Sequence, residues 1–189
     1  MSVLRAVEAW PEHLAEVADR LRRVTVEVRA AAVGGAGVLW APDLVVTNAH
    51  VARASRVSVE FADDSRVDAD VIAADRRADL ALLRVPRSGL APAALADSDA
   101  VRVGALVVAL GHPLGLRRTL TAGVVHSLGA DGSGGRRWIR ADLRLAPGNS
   151  GGPLADTAGR VVGINAMIAG GLALAIPIND VRRFVSGAA

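Results

Sequence analysis

The chain has 189 residues and a formal net charge of +3, with 51% apolar residues, 3% aromatic residues and no cysteine. This length predicts one domain or two small lobes, the apolar content excludes a disordered chain, and the lack of cysteine excludes disulfides and cysteine-bound metals. All 22 basic residues are arginine, which excludes P-loop, Schiff-base and Ser-Lys chemistry because each requires a lysine. The few aromatic residues and the small net charge argue against nucleic-acid binding.

The N-terminal segment predicts a short amphipathic helix. Between residues 11 and 23, Leu14, Val17 and Leu21 share one helical face, and Pro11 suits the first turn. Trp10 and this helix are a candidate contact with a second copy, with packing on the chain's own strands as the alternative. No segment resembles a signal peptide or a membrane span. As written, the chain is therefore expected to be cytoplasmic with no membrane partner, or periplasmic or otherwise extracytoplasmic if an export signal has been removed.

From residue 24 onward the apolar pattern alternates, which predicts two sets of about six short strands. The predicted strands cover residues 24–28, 36–40, 44–47, 56–61, 66–73, 80–85, 105–110, 119–127, 137–141, 153–155, 160–168 and 172–176. A last helix is predicted at 180–186, capped by Asn179 or Asp180. The sequence thus predicts an all-β fold, as barrels or a sandwich, with a helical segment (1–23), a first lobe (24–86), a connection (87–99) and a second lobe with the C-terminal helix (100–189).

The heptapeptide GNSGGPL, residues 148–154, carries the strongest catalytic signal. Its glycines leave the Ser150 hydroxyl accessible and allow the N–H groups of Gly148 and Ser150 to converge on one point, as an oxyanion requires. Taken alone, the motif also fits a glycine-rich turn with an incidental serine.

A serine nucleophile needs a general base, and the chain has four histidines. His13 lies on the predicted helix and His112 and His126 lie in or beside strands of the second lobe. His50 comes directly after an apolar strand, which favours it as the base for Ser150.

Asp79 completes a candidate catalytic triad with His50 and Ser150. It opens an apolar run that would draw its carboxylate toward the core, where an imidazole N–H is a suitable partner; turn formation or pairing with the adjacent arginines is the alternative. The order His, Asp, Ser is the trypsin-like order and excludes an α/β-hydrolase, in which the histidine follows the serine. The strand-rich pattern likewise opposes a subtilisin-like parallel α/β sheet.

The sequence resembles the HtrA-type branch of the trypsin-like serine proteases over roughly residues 24–185. The likeness is carried by TNAHV (47–51), ADLALLRV (78–85), ALGHPLGLRRTLTAGVVHSL (109–128) and GNSGGPL (148–154), followed by VVGINAM and LAIPIND. The resemblance implies two six-stranded antiparallel β-barrels with short terminal helices, and a triad in the cleft between the barrels. It implies endopeptidase activity on flexible or unfolded polypeptides without a metal or organic cofactor, a link to protein quality control, and a trimer as one known assembly.

The same resemblance suggests residues for substrate binding. The strand from Ile164 to Met167 would pair with the substrate backbone, and the primary pocket would be lined by four residues: Leu145, Ala146, Asn165 and Ala166. An inward-facing Arg144 would instead select an acidic side chain, whereas the outward orientation avoids burying an unpaired charge. The oxyanion hole would be formed by Gly148, Asn149 and Ser150.

Three departures from the family pattern concern regulation. Asn149 stands where digestive enzymes have the aspartate that pairs with a new N-terminus, so activation by that ion pair is not expected. The segment 30–35 is too short for a long regulatory loop, and the sequence ends at Ala189, where HtrA-type proteins usually continue into a PDZ domain. A latent or catalytically silent peptide-binding or chaperone-like module remains the alternative to an active protease, with loops 115–118 and 129–137 as the segments that could block the cleft.

Overall fold

A computed structural model of the chain describes residues 10–30, 33–87, 89–113, 116, 118–131 and 135–188. It contains two closed barrels of six antiparallel strands each, with one helix before the first barrel and one after the second. The two-barrel, all-β prediction is therefore confirmed.

The first barrel has the strand order β1-β2-β3-β6-β5-β4, and β4 closes it by pairing with β1. Its strands are β1 (Thr25–Ala30), β2 (Val33–Ala41), β3 (Leu44–Thr47), β4 (Arg56–Glu60), β5 (Arg66–Asp75) and β6 (Leu80–Arg84). Alternate side chains of these strands point inward, and Val26, Val28, Val45 and Leu83 are fully or almost fully buried inside it.

The second barrel has the order β10-β11-β12-β9-β8-β7, and β7 closes it by pairing with β10. Its strands are β7 (Leu106–Gly111), β8 (Thr119–Ala130), β9 (Arg137–Asp142), β10 (Pro153–Asp156), β11 (Val161–Ala169) and β12 (Leu172–Pro177). All twelve predicted strands overlap an observed strand. The predicted division of the chain into a helical segment, a first lobe, a connection and a second lobe stays a prediction.

A shared apolar core joins the barrels and fixes the cleft between them. Val46 and Leu82 of the first barrel pack in one cluster with Ile164 and Ile176 of the second. The C-terminal helix α2 (Ile178–Ala188) adds three buried side chains to this cluster: Ile178, Val181 and Val185. Because burial of apolar surface is the main stabilising term in folding, this core holds the two halves of the cleft in one relative position.

Helix α2 starts earlier than predicted, so Asn179 and Asp180 lie in its first turn instead of preceding it. The hydroxyl of Ser98 accepts the Asn179 N–H at 3.1 Å, and the Asn179 amide donates to Asp97 at 2.7 Å. This amide, together with the Asp99 N–H, lowers the pKa of the Asp97 carboxyl.

The N-terminal helix α1 (Trp10–Val24) packs on the second barrel. Val17 and Leu21 are fully buried against Val108 and Leu110 of β7. This contact matches the alternative in which the helix covers the chain's own strands. The side chain of Trp10 lies outside the described part of the structure, and its role in self-association stays a prediction. Neither of the two helices in the described ranges is long and apolar enough to cross a membrane.

Candidate active site

His50 and Asp79 form a close hydrogen-bonded pair at one end of the first barrel. His50 Nδ1 lies 2.8 Å from Asp79 Oδ2 and 3.0 Å from Oδ1, and the His50 backbone N–H donates to Oδ1 at 3.0 Å. Asp79 is only 8% exposed. A buried carboxylate held by these two donors can orient the imidazole and stabilise its charged form.

The backbone of Asp79 is held in an unusual conformation by Asn48. Asp79 has a φ of 54°, in the left-handed region that few non-glycine residues adopt, at the turn that enters β6. The fully buried Asn48 donates from Nδ2 to the Asp79 carbonyl at 2.9 Å. Asn48 thus supports the strained turn that presents the carboxylate to His50, a role that its place in the sequence did not predict.

Asn48→Ala is expected to lower the free energy of unfolding by about 1 to 3 kcal/mol, because the buried Asp79 carbonyl loses its donor. Urea unfolding followed by circular dichroism measures this change. Asn179→Ala is the matched control, since it removes an exposed amide bond to Asp97 and should cost less than about 1 kcal/mol. Equal losses in the two variants would contradict the role given to Asn48.

Ser150 lies on the second barrel, between β9 and β10, at the point where it meets β2 of the first barrel. The Ser150 carbonyl accepts the Ala36 N–H at 2.7 Å. A Cβ built on Gly35 would lie 2.8 Å from this carbonyl and 2.7 Å from the Val51 side chain. The absence of a side chain at Gly35 therefore allows the Ser150 loop to approach the residues that follow His50.

The Ser150 hydroxyl donates to the Ala166 carbonyl at 3.0 Å. A serine hydroxyl has one proton to donate, so in this conformation it is not directed at an imidazole acceptor. The structure thus brings His50 and Asp79 together and places Ser150 at the same seam between the barrels. Proton transfer from Ser150 to His50 stays a prediction, and it requires rotation of the hydroxyl away from Ala166.

The loop from Gly148 to Ser150 contains two N–H groups that are available to an oxyanion. Among the described residues, no acceptor is found for the N–H of Gly148 or Ser150. The Asn149 N–H instead donates to the Ala146 carbonyl at 3.0 Å, and the Asn149 amide donates to the same carbonyl at 3.1 Å. The expected part of Asn149 in the oxyanion hole stays a prediction, and in this conformation both of its donors bind within the loop.

A cavity of about 270 Å³ opens beside Ser150. It is lined mainly by small and apolar side chains: Leu145, Ala146, Pro147, Ala166, Met167 and Ile168. Four of these were predicted substrate-binding residues, whereas Pro147 and Ile168 were not. This lining suits an aliphatic side chain of moderate size.

Three other predicted substrate-binding residues do not line this cavity. Arg144 is exposed, in agreement with the outward alternative. Ile164 is fully buried in the core shared by the barrels. Asn165 is also fully buried, and its amide donates to the Pro153 carbonyl at 2.9 Å, which joins β11 to β10.

One edge of β11 is unpaired next to Ser150. The pairing of β10 with β11 ends at Pro153 and Ile164, whereas the pairing of β11 with β12 continues as far as Ala169. Among the described residues, 166–169 therefore have a paired strand on one side only. Such an edge can add an extended peptide by backbone hydrogen bonds.

Comparisons with known proteins agree with this geometry. A family model described as a trypsin-like peptidase domain matches residues 35–164. The chain belongs to the trypsin-like peptidase domain family. This peptidase domain is 39% identical over 165 residues to the periplasmic serine endoprotease DegP of Salmonella typhimurium, covering 80% of the chain and 35% of DegP. It is 37% identical to the serine protease HTRA1 of Xenopus laevis, covering 82% of the chain and 36% of HTRA1.

Solved structures show the same likeness. The HtrA-type protease AlgW with a tripeptide superposes with a TM-score of 0.85 and 29% identity, covering 91% of the domain and 62% of that chain. The predicted HtrA-type resemblance is therefore confirmed. The domain spans about a third of the length of the curated relatives that it matches.

Proposed function

We propose that this domain is a serine endopeptidase that cleaves flexible or unfolded polypeptides through His50, Asp79 and Ser150. The observation that carries the proposal is the His50–Asp79 pair, with Nδ1 and Oδ2 2.8 Å apart, at the seam where the Ser150 loop joins the first barrel. The names of the relatives, a serine endoprotease and a serine protease, support the same chemistry.

Catalysis begins when the Ser150 hydroxyl turns from Ala166 toward His50. Nε2 of His50 then accepts the hydroxyl proton while Oγ attacks the substrate carbonyl carbon, and Asp79 stabilises the imidazolium that forms. The N–H groups of Gly148 and Ser150 stabilise the tetrahedral oxyanion. Nε2 returns the proton to the leaving amine, and water hydrolyses the acyl-enzyme by the same steps in reverse order.

Substrate recognition uses the unpaired edge of β11 and the cavity beside Ser150. An extended peptide adds to residues 166–169 as a further strand, which requires a flexible or unfolded segment. The apolar cavity then receives an aliphatic side chain of the residue before the scissile bond. Exposed Arg144 lies outside the cavity and gives it no charge.

A fluorophosphonate probe tests the proposal, because it reacts with an activated serine. We expect labelling confined to Ser150, no labelling of Ser150→Ala, and cleavage of unfolded casein by the wild-type protein alone, with turnover at least about 10⁴-fold above the variant. Mass spectrometry locates the label and gel electrophoresis follows casein. Equal casein cleavage by the wild type and Ser150→Ala would refute the assignment, and labelling without any cleavage would indicate the latent, peptide-binding alternative.

A further inference from the structure

A second cavity, also of about 270 Å³, adjoins His50 on the side of the first barrel. It is distinct from the cavity beside Ser150, since the two share no lining residue. Small side chains, Ala52 and Ala74 among them, form much of its wall, while His50 and Asp79 form its boundary with the catalytic groups. A group bound in this cavity would therefore lie next to the catalytic imidazole.

Two arginines, Arg53 and Arg76, line this cavity together with one carboxylate, Asp79, so the lining carries a net positive charge. Most described arginines elsewhere pair with a carboxylate, as Arg56 does with Asp70 at 3.0 Å and Arg87 with Asp63 at 2.8 Å. Within the described part of the chain, no carboxylate forms an ion pair with Arg53 or Arg76. Both guanidinium groups are therefore available to a ligand.

The position of Arg53 is fixed by the catalytic segment. Its Nε donates to the His50 carbonyl at 2.8 Å, and among the described residues no acceptor is found for its terminal nitrogens. A guanidinium with part of its donor set already held loses less conformational freedom when it binds a carboxylate. Arg53 is thus a preorganised cation at the wall of the cavity.

Further positive charge comes from the segment that follows Arg76. Arg136 of the second barrel stacks on Trp138, with its guanidinium carbon 4.9 Å from the ring centre, and donates to the Arg77 carbonyl. This contact brings a third cation to the turn that contains Arg76 and Arg77. Like charges held close together repel one another in the free protein, and a bound anion relieves that repulsion.

Two carboxylates of the same region, Asp75 and Asp79, offset only part of this positive charge. Asp79 is engaged with His50 through both of its oxygens. Asp75 accepts the backbone N–H groups of Arg77 and Ala78 at 2.7 and 2.9 Å and thereby closes the turn. Four arginines, counting Arg77 and Arg136, outnumber these two carboxylates, so the region around the cavity keeps an excess of positive charge next to the catalytic groups.

We infer that this arginine pocket, defined by Arg53 and Arg76, binds an acidic side chain of the substrate at a position adjacent to the scissile bond. The inference rests on the proposed peptidase function, and it adds a second specificity element to the apolar cavity beside Ser150. The substrate class is thus a flexible polypeptide with an aliphatic residue in one subsite and Asp or Glu in the neighbouring one.

Paired peptides with Asp or its neutral isostere Asn test the pocket. All peptides have a scissile bond after a valine. One pair is made for each position from the third residue before this bond to the third residue after it, except the valine itself, and the two peptides of a pair differ only in Asp or Asn at that position. For each peptide, kcat/KM is measured at low and at high salt. We expect the wild type to prefer Asp at one position by about 3- to 10-fold at low salt, and less at high salt because ions screen exposed charges. Arg76→Gln and Arg53→Gln should each reduce this preference.

Arg102→Gln is the matched control, because Arg102 is exposed, lines a different groove and has no ion pair with any described residue. It should retain the full preference for Asp. Equal kcat/KM for Asp and Asn at every position, or a preference that survives both Arg76→Gln and Arg53→Gln, would overturn the pocket.

Binding of the same peptides to Ser150→Ala separates this inference from the proposed function. Fluorescence anisotropy measures affinity without turnover, and tighter binding of Asp than Asn peptides, lost in Arg76→Gln, supports the pocket. Binding preference without wild-type cleavage would support the pocket and contradict the peptidase proposal. Cleavage without any preference for Asp would contradict the pocket and leave the peptidase proposal standing. Equal results for Asp and Asn peptides in both the cleavage and the binding assay would overturn the pocket.

Discussion

Asp79→Asn is expected to reduce kcat by about 10⁴-fold with little change in fold. The reason lies in the His50 backbone N–H, which can only donate and lies 3.0 Å from Oδ1. The asparagine oxygen will remain opposite this donor, so its NH₂ group will face Nδ1. An NH₂ group at that place requires Nδ1 to be the acceptor, and the imidazole proton then sits on Nε2, where no proton can be accepted from Ser150.

Asp75→Asn provides the control for this substitution. Asp75 lies in the same turn, is exposed and accepts backbone N–H bonds that an amide oxygen can also accept. Its kcat should stay within about threefold of wild type, as expected for a surface change that keeps its hydrogen bonds. A kcat for Asp79→Asn within tenfold of wild type would remove Asp79 from the catalytic groups.

Gly151→Ala is expected to cost about 3 to 5 kcal/mol of stability, or to prevent folding, because two independent penalties combine. Gly151 has a φ of 85°, and a Cβ there would lie 2.0 Å from the Ala36 carbonyl oxygen and 2.3 Å from Thr47 Oγ1. The carbonyl belongs to the backbone of β2 and cannot move without breaking the contact of Ala36 with Ser150. Denaturant unfolding measures the loss, and activity should disappear with it.

Gly104→Ala separates the two penalties. Gly104 has the same φ of 85°, but a Cβ there has no atom within 4 Å. Only the left-handed backbone is then unfavourable, and the expected cost is about 1 to 2 kcal/mol. If Gly104→Ala were as destabilising as Gly151→Ala, the close approach of the two barrels at Ser150 would not be the cause.

The alternating pattern was sufficient to predict the strands because each strand of a small barrel has one inward and one outward face. Val26 and Val28 illustrate this, since both lie in the core of the first barrel. The alternating polar residues of β1, Thr25 and Glu27, are also buried, so the pattern predicted the strand but not the burial of its second face. The helix limits were less well predicted. The first turn of α2 receives a hydroxyl acceptor from Ser98, about eighty residues earlier in the chain, and no local capping signal reports such a contact.

The triad candidates could be chosen from the sequence because nucleophile, base and carboxylate stand in motifs with a defined chain order. The lining of the cavity beside Ser150 could not be predicted equally well. A register shift between Asn165 and Met167 breaks the alternation of β11, so that Ala166, Met167 and Ile168 all line the cavity. Strict alternation would have placed Asn165 and Met167 on the same face, and the sequence carries no clear sign of the bulge.

Because the apolar cluster that joins the barrels is built from both of them, neither barrel is expected to be stable without the other. A fragment ending in the predicted connection at 87–99 would leave Val46 and Leu82 uncovered, and its complement would leave Ile164 and Ile176 uncovered. Each fragment would expose its part of the apolar interface to solvent and would tend to aggregate. Neither fragment could therefore serve alone as a scaffold for the His50 segment or the Ser150 loop. Engineering of either loop must therefore use the intact chain.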